Sequence, residues 1–234
     1  MRRALLLSGL TLLVFAAVAF AAGSAKLTVS PNTAGAGSVS TLDAVPPNQS
    51  KTPRSVALKV VKGVKFDGRA AAKRCSDAQA KQNSCPAGSR IGGGKIDANA
   101  TGFGPVQVDV SLFLAPKRRA SDIAGLVGIA EAAGQKGHAF GRLFRIDEGK
   151  LGLETFFGGL DKAIKPPDGV TVKVTHLRLH FGKHRQVNGK RVDLITNPGT
   201  CPDKGWPYAA SVNYPDGTGK TFHHTVACAP KPVR

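Results

Sequence analysis

The stretch "VTVKVTHLRLHFG", Val170 to Gly182, decides how the chain folds. Val170, Val172 and Val174 share one face of an extended segment, but Leu177, Leu179 and Phe181 have the opposite parity. Side chains alternate with a period of two along a strand, so a slip of one residue moves every later side chain to the other face. One extra residue near Thr175 or His176 restores a common apolar face. The stretch therefore predicts a single bulged strand, with His176, Arg178 and His180 together on solvent.

The same period continues outward. "VQVDVSLFLAP" places Val106, Val108, Val110, Leu112 and Leu114 on one face and ends at Pro116. "DIAGLVGIAEAAG" reads as a strand, because Gly125 and Gly128 would each cost a helix about 1 kcal/mol. "SVALKVV", "HAFGRLFRID", "LGLETFF", "RVDLIT", "YAASVNYP" and "TFHHTVACA" are further short strands. Val187-Asn188-Gly189-Lys190 and Asp216-Gly217 are turn signals between them. The expected fold is all-β, mainly antiparallel and sandwich-like, with one or two short helical turns between Cys75 and Cys85.

The N-terminus reads as an export signal. Arg2 and Arg3 precede an uncharged apolar run from Ala4 to Phe20, and Ala19-Phe20-Ala21 suits a signal peptidase. Cleavage is expected after Ala21, with Ala25 as the second choice; the run is also long enough for a retained anchor. Residues 22–53, rich in Ser, Thr, Ala, Gly and Pro, look like strand only at "KLTVS" (Lys26 to Ser30) and "SVSTLDAV" (Ser38 to Val45), and read as a tether that gives its C-terminal part to a sheet. Residues 54–230 form the β-rich domain and 231–234 a tail.

Four cysteines in an oxidising compartment make two disulfides most economically, with three pairings open. The local pairs Cys75–Cys85 and Cys201–Cys228 are expected, each stabilising by about 3–3.5 kcal/mol. Zinc would want two cysteines two to four residues apart, and the closest pair has nine residues between. "SCPAGSRIGGG", Ser84 to Gly94, fails as a phosphate loop. Ser89 stands where the first glycine is required, and Ile96 follows Lys95 where a hydroxyl is needed. It reads as a disulfide-closed turn shaped by Pro86 and the glycines.

Two elements resemble a known group. Cys75-Ser76 followed by "CPAGSRIGGG", and the tail "ITNPGTCPDKGWPYAASVNYPDGTGKTFHHTVACAP" (Ile195 to Pro230), are similar to elements of large secreted bacterial cell-surface proteins. Those β-rich proteins have no assigned activity and carry C-P-x-x-S-x-I/V-G and T-N-P-x-x-C elements in this order. The resemblance covers Ser55 to Pro230. It implies an extracellular address, a β-sandwich-like fold, local disulfides and no chemistry.

The chain carries a formal net charge of +18, which becomes +16 once Arg2 and Arg3 leave with residues 1–21. Such a balance favours anionic company. The expected partner is an anionic cell-wall polymer or membrane surface, held electrostatically, with a protein partner as the alternative. No recognition helix or aromatic-rich strand points to dedicated nucleic-acid binding. The docking residues expected are Lys117, Arg118 and Arg119, with Arg178, His176 and His180. His176 and His180 would stand about 13 Å apart on one strand face, too far to share a metal ion. The expected protein is therefore noncatalytic, with no cofactor and no metal. A secreted hydrolase or a secreted protein–protein interaction or structural module are the competing readings.

Overall fold

The computed structural model describes residues 23–163 and 170–232. The export signal expected at residues 1–21 and the end of the tail lie outside the described residues. From the N-terminus the strands are β1 (Ser24–Ser30), β2 (Val39–Val45), β3 (Ser55–Val61) and β4 (Lys65–Phe66). A five-residue helix, α1 (Asp77–Lys81), precedes β5 (Arg90–Ala100), β6 (Gly104–Ala115), β7 (Asp122–Ala132), β8 (Gln135–Glu148) and β9 (Leu151–Gly158). Then come β10 (Val172–Phe181), β11 (His184–Val187), β12 (Lys190–Asp193), β13 (Ile195–Thr196), β14 (Trp206–Asn213) and β15 (Gly219–Val226). Eleven of them form one antiparallel sheet in the order β1-β2-β10-β5-β6-β7-β8-β9-β3-β14-β15. The all-β expectation holds.

The long meander β5 to β9 follows the period-two pattern, and β10 enters between β2 and β5. The bulge lies at Thr175: the β10–β5 register passes from Val174↔Ala98 to His176↔Asp97. The Thr175 hydroxyl donates to the Asp97 carbonyl at 3.0 Å and pins the extra residue. Beyond it Leu177, Leu179 and Phe181 are half-buried while Arg178 and His180 are exposed, as the parity switch requires; His176, expected on solvent with them, is half-buried instead.

The sheet curls until its ends meet in a sandwich- or barrel-like arrangement. Ala25, Leu27, Leu42 and Ala44 of the first two strands pack against Leu58, Tyr208, Val226 and Phe222 of the last three. The Tyr208 hydroxyl accepts from the Leu27 N–H at 2.9 Å and donates to the Ala25 carbonyl at 3.0 Å. One phenol thereby satisfies edge groups of β1 that a neighbouring strand would otherwise take. The main core gathers Ile91, Leu114, Leu126, Leu143, Leu153 and Leu194. Full burial of a leucine such as Leu114 or Leu194 contributes about 1.5–3 kcal/mol each.

A second layer covers part of the outer face. Phe113, Ala115, Val127 and Ile129 of β6 and β7 meet Cys75 and Ala80 of the helical segment. Ser76 and Gln79 close a reciprocal cap at the start of α1, with bonds of 3.3 and 3.0 Å. The Cys75–Cys85 disulfide closes the loop around this helix, and Cys201–Cys228 is the second bridge.

Two expectations need correction. The strands read at Lys26–Ser30 and Ser38–Val45 are present as β1 and β2, but the N-terminal part of the segment is no tether, because β1 starts at Ser24 and itself belongs to the main sheet. The buried Asn197 holds the loop between them, donating to the carbonyls of Pro31 and Thr33 at 2.9 and 3.0 Å and accepting from Ser38 Oγ at 2.7 Å. The chain does turn after Cys85, at Pro86 to Ser89 with Gly88, but Gly92, Gly93 and Gly94 belong to strand β5 rather than to that turn. A Cβ at Gly92 would collide with the His180 carbonyl, and one at Gly94 with that of Arg178. Their lack of a side chain lets β10 approach β5 closely.

Candidate functional site

The hairpin β11–β12 turns through Asn188 and Gly189, both at positive φ (50° and 72°), as the Asn-Gly pair predicts. Residues 183–193 contain Lys183, His184, Arg185, Lys190 and Arg191 against one acid, Asp193. In the register Val187↔Lys190 and Arg185↔Val192, Arg185 and Lys190 lie diagonally on one face, with His184 and Arg191 on the other. Arg191 Nε donates to Asp193 at 2.9 Å. Arg185 and Lys190 are exposed and have no acidic partner among the described residues.

The hairpin is fastened to one end of the sheet. Leu194 N–H donates to the Lys183 carbonyl at 2.7 Å, and Lys183 Nζ donates to the Arg90 carbonyl at 3.1 Å. The hairpin lies against the turn Gly68–Ala70, where Arg69 is held by Asp67. Six residues on, Arg74 Nη1 donates to the Ala115 carbonyl at 3.2 Å. That carbonyl ends β6, immediately before Lys117-Arg118-Arg119. The chain from Gly68 to Arg74 thus joins the hairpin to the basic β6–β7 turn at the same end of the sheet.

A buried carboxylate shapes that turn. Asp122 Oδ2 accepts from the N–H groups of Arg118 and Arg119 at 3.1 and 2.9 Å. Its Oδ1 accepts from Arg142 Nε and Nη2 at 2.9 and 2.6 Å. The Arg142 guanidinium, aided by the two backbone donors, holds the Asp122 carboxyl below the usual range against the opposing effect of burial. Arg118 is itself occupied: Nη2 lies 2.8 Å from Asp77, and the guanidinium sits 3.7 Å from the Phe140 ring centroid. Lys117 and Arg119 have no acidic partner among the described residues.

The three candidates on β10 sit differently. His176 lies between two carboxylates, with Nε2 2.9 Å from Asp43 and Nδ1 3.4 Å from Asp97. Arg178 Nε is 3.9 Å from the other oxygen of Asp43. His180 pairs with Thr41 on one side and Gly93 on the other. The bulge brings the three to one face, and that face already supplies acids to two of them.

Among the described residues no group of three or more His, Cys, Asp or Glu is placed to hold a metal ion. An open trough of about 570 Å³ runs along the seam between β1 and β15, lined by Lys26, Asn32, Tyr208, His224 and Thr225 among others, with no acid. The hairpin cations were missed in the linear reading, because the turn residues separate Arg185 from Lys190 and only pairing brings them together. The usable signal was the alternating-basic pattern on both sides of an Asn-Gly turn. No protein-family model matches the chain, and no curated protein is similar to it.

Proposed function

We propose that the protein is a noncatalytic, exported domain that docks electrostatically on the anionic cell envelope, through a wall polymer or membrane surface. The observation that carries this reading is the convergence of the β11–β12 hairpin and the β6–β7 turn at one end of the sheet. There Arg185, Lys190, Lys117 and Arg119 stand without acidic partners among the described residues. Exposed single contacts are worth about 1 kcal/mol or less, so retention is collective and sensitive to salt. Two disulfides are consistent with an oxidising compartment. The resemblance to secreted β-rich cell-surface proteins supports the same address.

The test is sedimentation of the protein with purified envelope at low and high salt. Retention that disappears by about 0.5 M salt supports docking by charge. A second reading, a protein–protein interaction module, is favoured by Phe103, which is 70% exposed at the tip of the β5–β6 hairpin. Retention that survives salt and is lost in Phe103→Ser would favour that module instead.

A further inference from the structure

The bulge at Thr175 does more than realign the apolar face. It lifts His176 to the point where β2, β10 and β5 lie side by side, between Asp43 and Asp97. Nε2 stands 2.9 Å from Asp43 Oδ1 and Nδ1 stands 3.4 Å from Asp97 Oδ2. A neutral imidazole has one N–H, so it can donate to only one of these carboxylates and turns a lone pair toward the other. Only the doubly protonated ring donates to both.

The position of this bridge gives it consequence. The β2–β10 ladder runs from Phe181↔Ser40 to Leu177↔Ala44 and stops at the bulge. From just past that end on β10, His176 reaches back to Asp43 and adds a side-chain tie between the N-terminal hairpin β1–β2 and the rest of the sheet; farther along, Asn48 is bonded to the Tyr214 hydroxyl. On its other side β1 has no ladder with β15 among the described residues. It is held there by the Tyr208 hydroxyl and, past its C-terminal end, by bonds such as Ala34 N–H to the Ala229 carbonyl at 2.9 Å. The β1–β2 hairpin thus has one ladder to the rest of the main sheet, that of β2 with β10, besides the bonds of its loop and the Tyr208 hydroxyl.

We propose that His176 is a protonation-dependent latch: as an imidazolium it clamps β2 to β10 and β5, and as a neutral ring it keeps only one of the two ties, so that the clamp weakens and the seam between β1 and β15 loosens. The groups around it set the working range. Asp43 on β2 and Asp97 on β5 favour the charged ring, while Arg178 on β10, Lys95 on β5 and Lys26 of β1, opposite Asp43, oppose it. Gln107 of β6 donates to Asp97 at 3.2 Å and retains it when His176 lets go. The Asp43 hydrogen bond foremost, then that of Asp97, raises the His176 pKa above its ordinary 6.5 against partial desolvation. With the folded value raised, the clamp is fully present below the ordinary imidazole pKa and is lost as pH rises through the raised value.

The test is amide hydrogen exchange on the purified protein, following Leu27, Val29, Leu42 and Ala44 against reference amides in β6 and β7, so that intrinsic exchange cancels. Protection of the hairpin relative to the reference should fall about threefold between about pH 5.5 and pH 8, and should not change over that range in His176→Gln. Titration of the His176 ring by NMR should give a value above the ordinary one, and Asp43→Asn should bring it down. A hairpin whose relative protection is independent of pH, or that follows the same pH course in His176→Gln as in the unaltered protein, would overturn the latch. So would a His176 ring that titrates at or below 6.5.

Discussion

Two charged regions, one on the main sheet and one at its end, behave oppositely. Across the outer face, the register sets Lys26, Asp43, Arg178, Lys95, Asp109, Glu131 and Lys136 side by side on seven successive strands. Four cations and three acids there nearly cancel, and Lys136 pairs with Glu131 at 3.2 Å while Arg178 lies 3.9 Å from Asp43. At the end of the sheet, the β11–β12 hairpin offers three permanent cations, Arg185, Lys190 and Arg191, against Asp193 alone. The β6–β7 turn adds Lys117 and Arg119. A ladder of many strands gives each charge a neighbour on both sides, whereas a two-stranded hairpin at the rim gives each charge one neighbour and then solvent. The difference teaches that net charge locates nothing by itself; the positions where strands stop decide where charge remains unpaired.

The comparison breaks first at Asp122. Its carboxylate organises the basic turn from inside the protein, while Asp43 and Asp97 lie on the surface. Asp122→Asn leaves Arg142 buried without its anion and should destabilise the fold by about 3 kcal/mol, read as a fall in thermal midpoint. Asp43→Asn should cost less than about 1 kcal/mol, since its partners are solvated. The Asp122 carboxyl is held below its ordinary value of 3.8, so its contribution is present above that value and is lost as pH falls through the lowered one. Acid unfolding of the unaltered protein should therefore be steeper below about pH 4 than that of Asp122→Asn. Equal midpoints for Asp122→Asn and Asp43→Asn would erase the distinction between an internal and a surface carboxylate.

The next largest effect concerns docking. The double reversal Arg185→Glu with Lys190→Glu should lower affinity for purified anionic envelope about tenfold at low salt, and should flatten its salt dependence. Lys117→Glu with Arg119→Glu spares the Arg118–Asp77–Phe140 contacts and should weaken binding by about fivefold. The smallest change is expected from Arg178→Glu, about twofold or less, because Asp43 and Lys95 already flank that position. Cosedimentation over a salt series measures all three. A loss from Arg178→Glu as large as that from the hairpin would show that the ladder face, and not the rim, meets the polyanion.

Much of the fold was legible because strand chemistry is local. Parity in Val106 to Leu114 predicted β6, and the switch after Val174 predicted the bulge at Thr175. The Asn188-Gly189 pair predicted its hairpin, and the spacing of the cysteines predicted both disulfides. Within residues 22–53 both strands were legible, but the tether reading failed because small and polar residues resemble a linker until Asn197, far along the chain, anchors the loop between β1 and β2. Gly92 and Gly94 misled because glycine signals either a turn or a close approach of strands, and only the neighbour, β10, says which.

The amino-acid sequence by itself determined an all-β chain with two local disulfides, a bulged strand and a strong positive balance. These depend on alternation, turn chemistry, short cysteine spacing and composition, which are all properties of nearby residues. Only the tertiary structure decided which charges meet. His176 finds Asp43 and Asp97, Arg142 finds Asp122, and Arg118 finds Asp77, each across a gap in sequence that periodicity does not span. Arg185 and Lys190 are left at a rim with no acidic partner among the described residues. Strand order and register set those pairings, and they are fixed by the burial of the whole sheet rather than by any one segment of it.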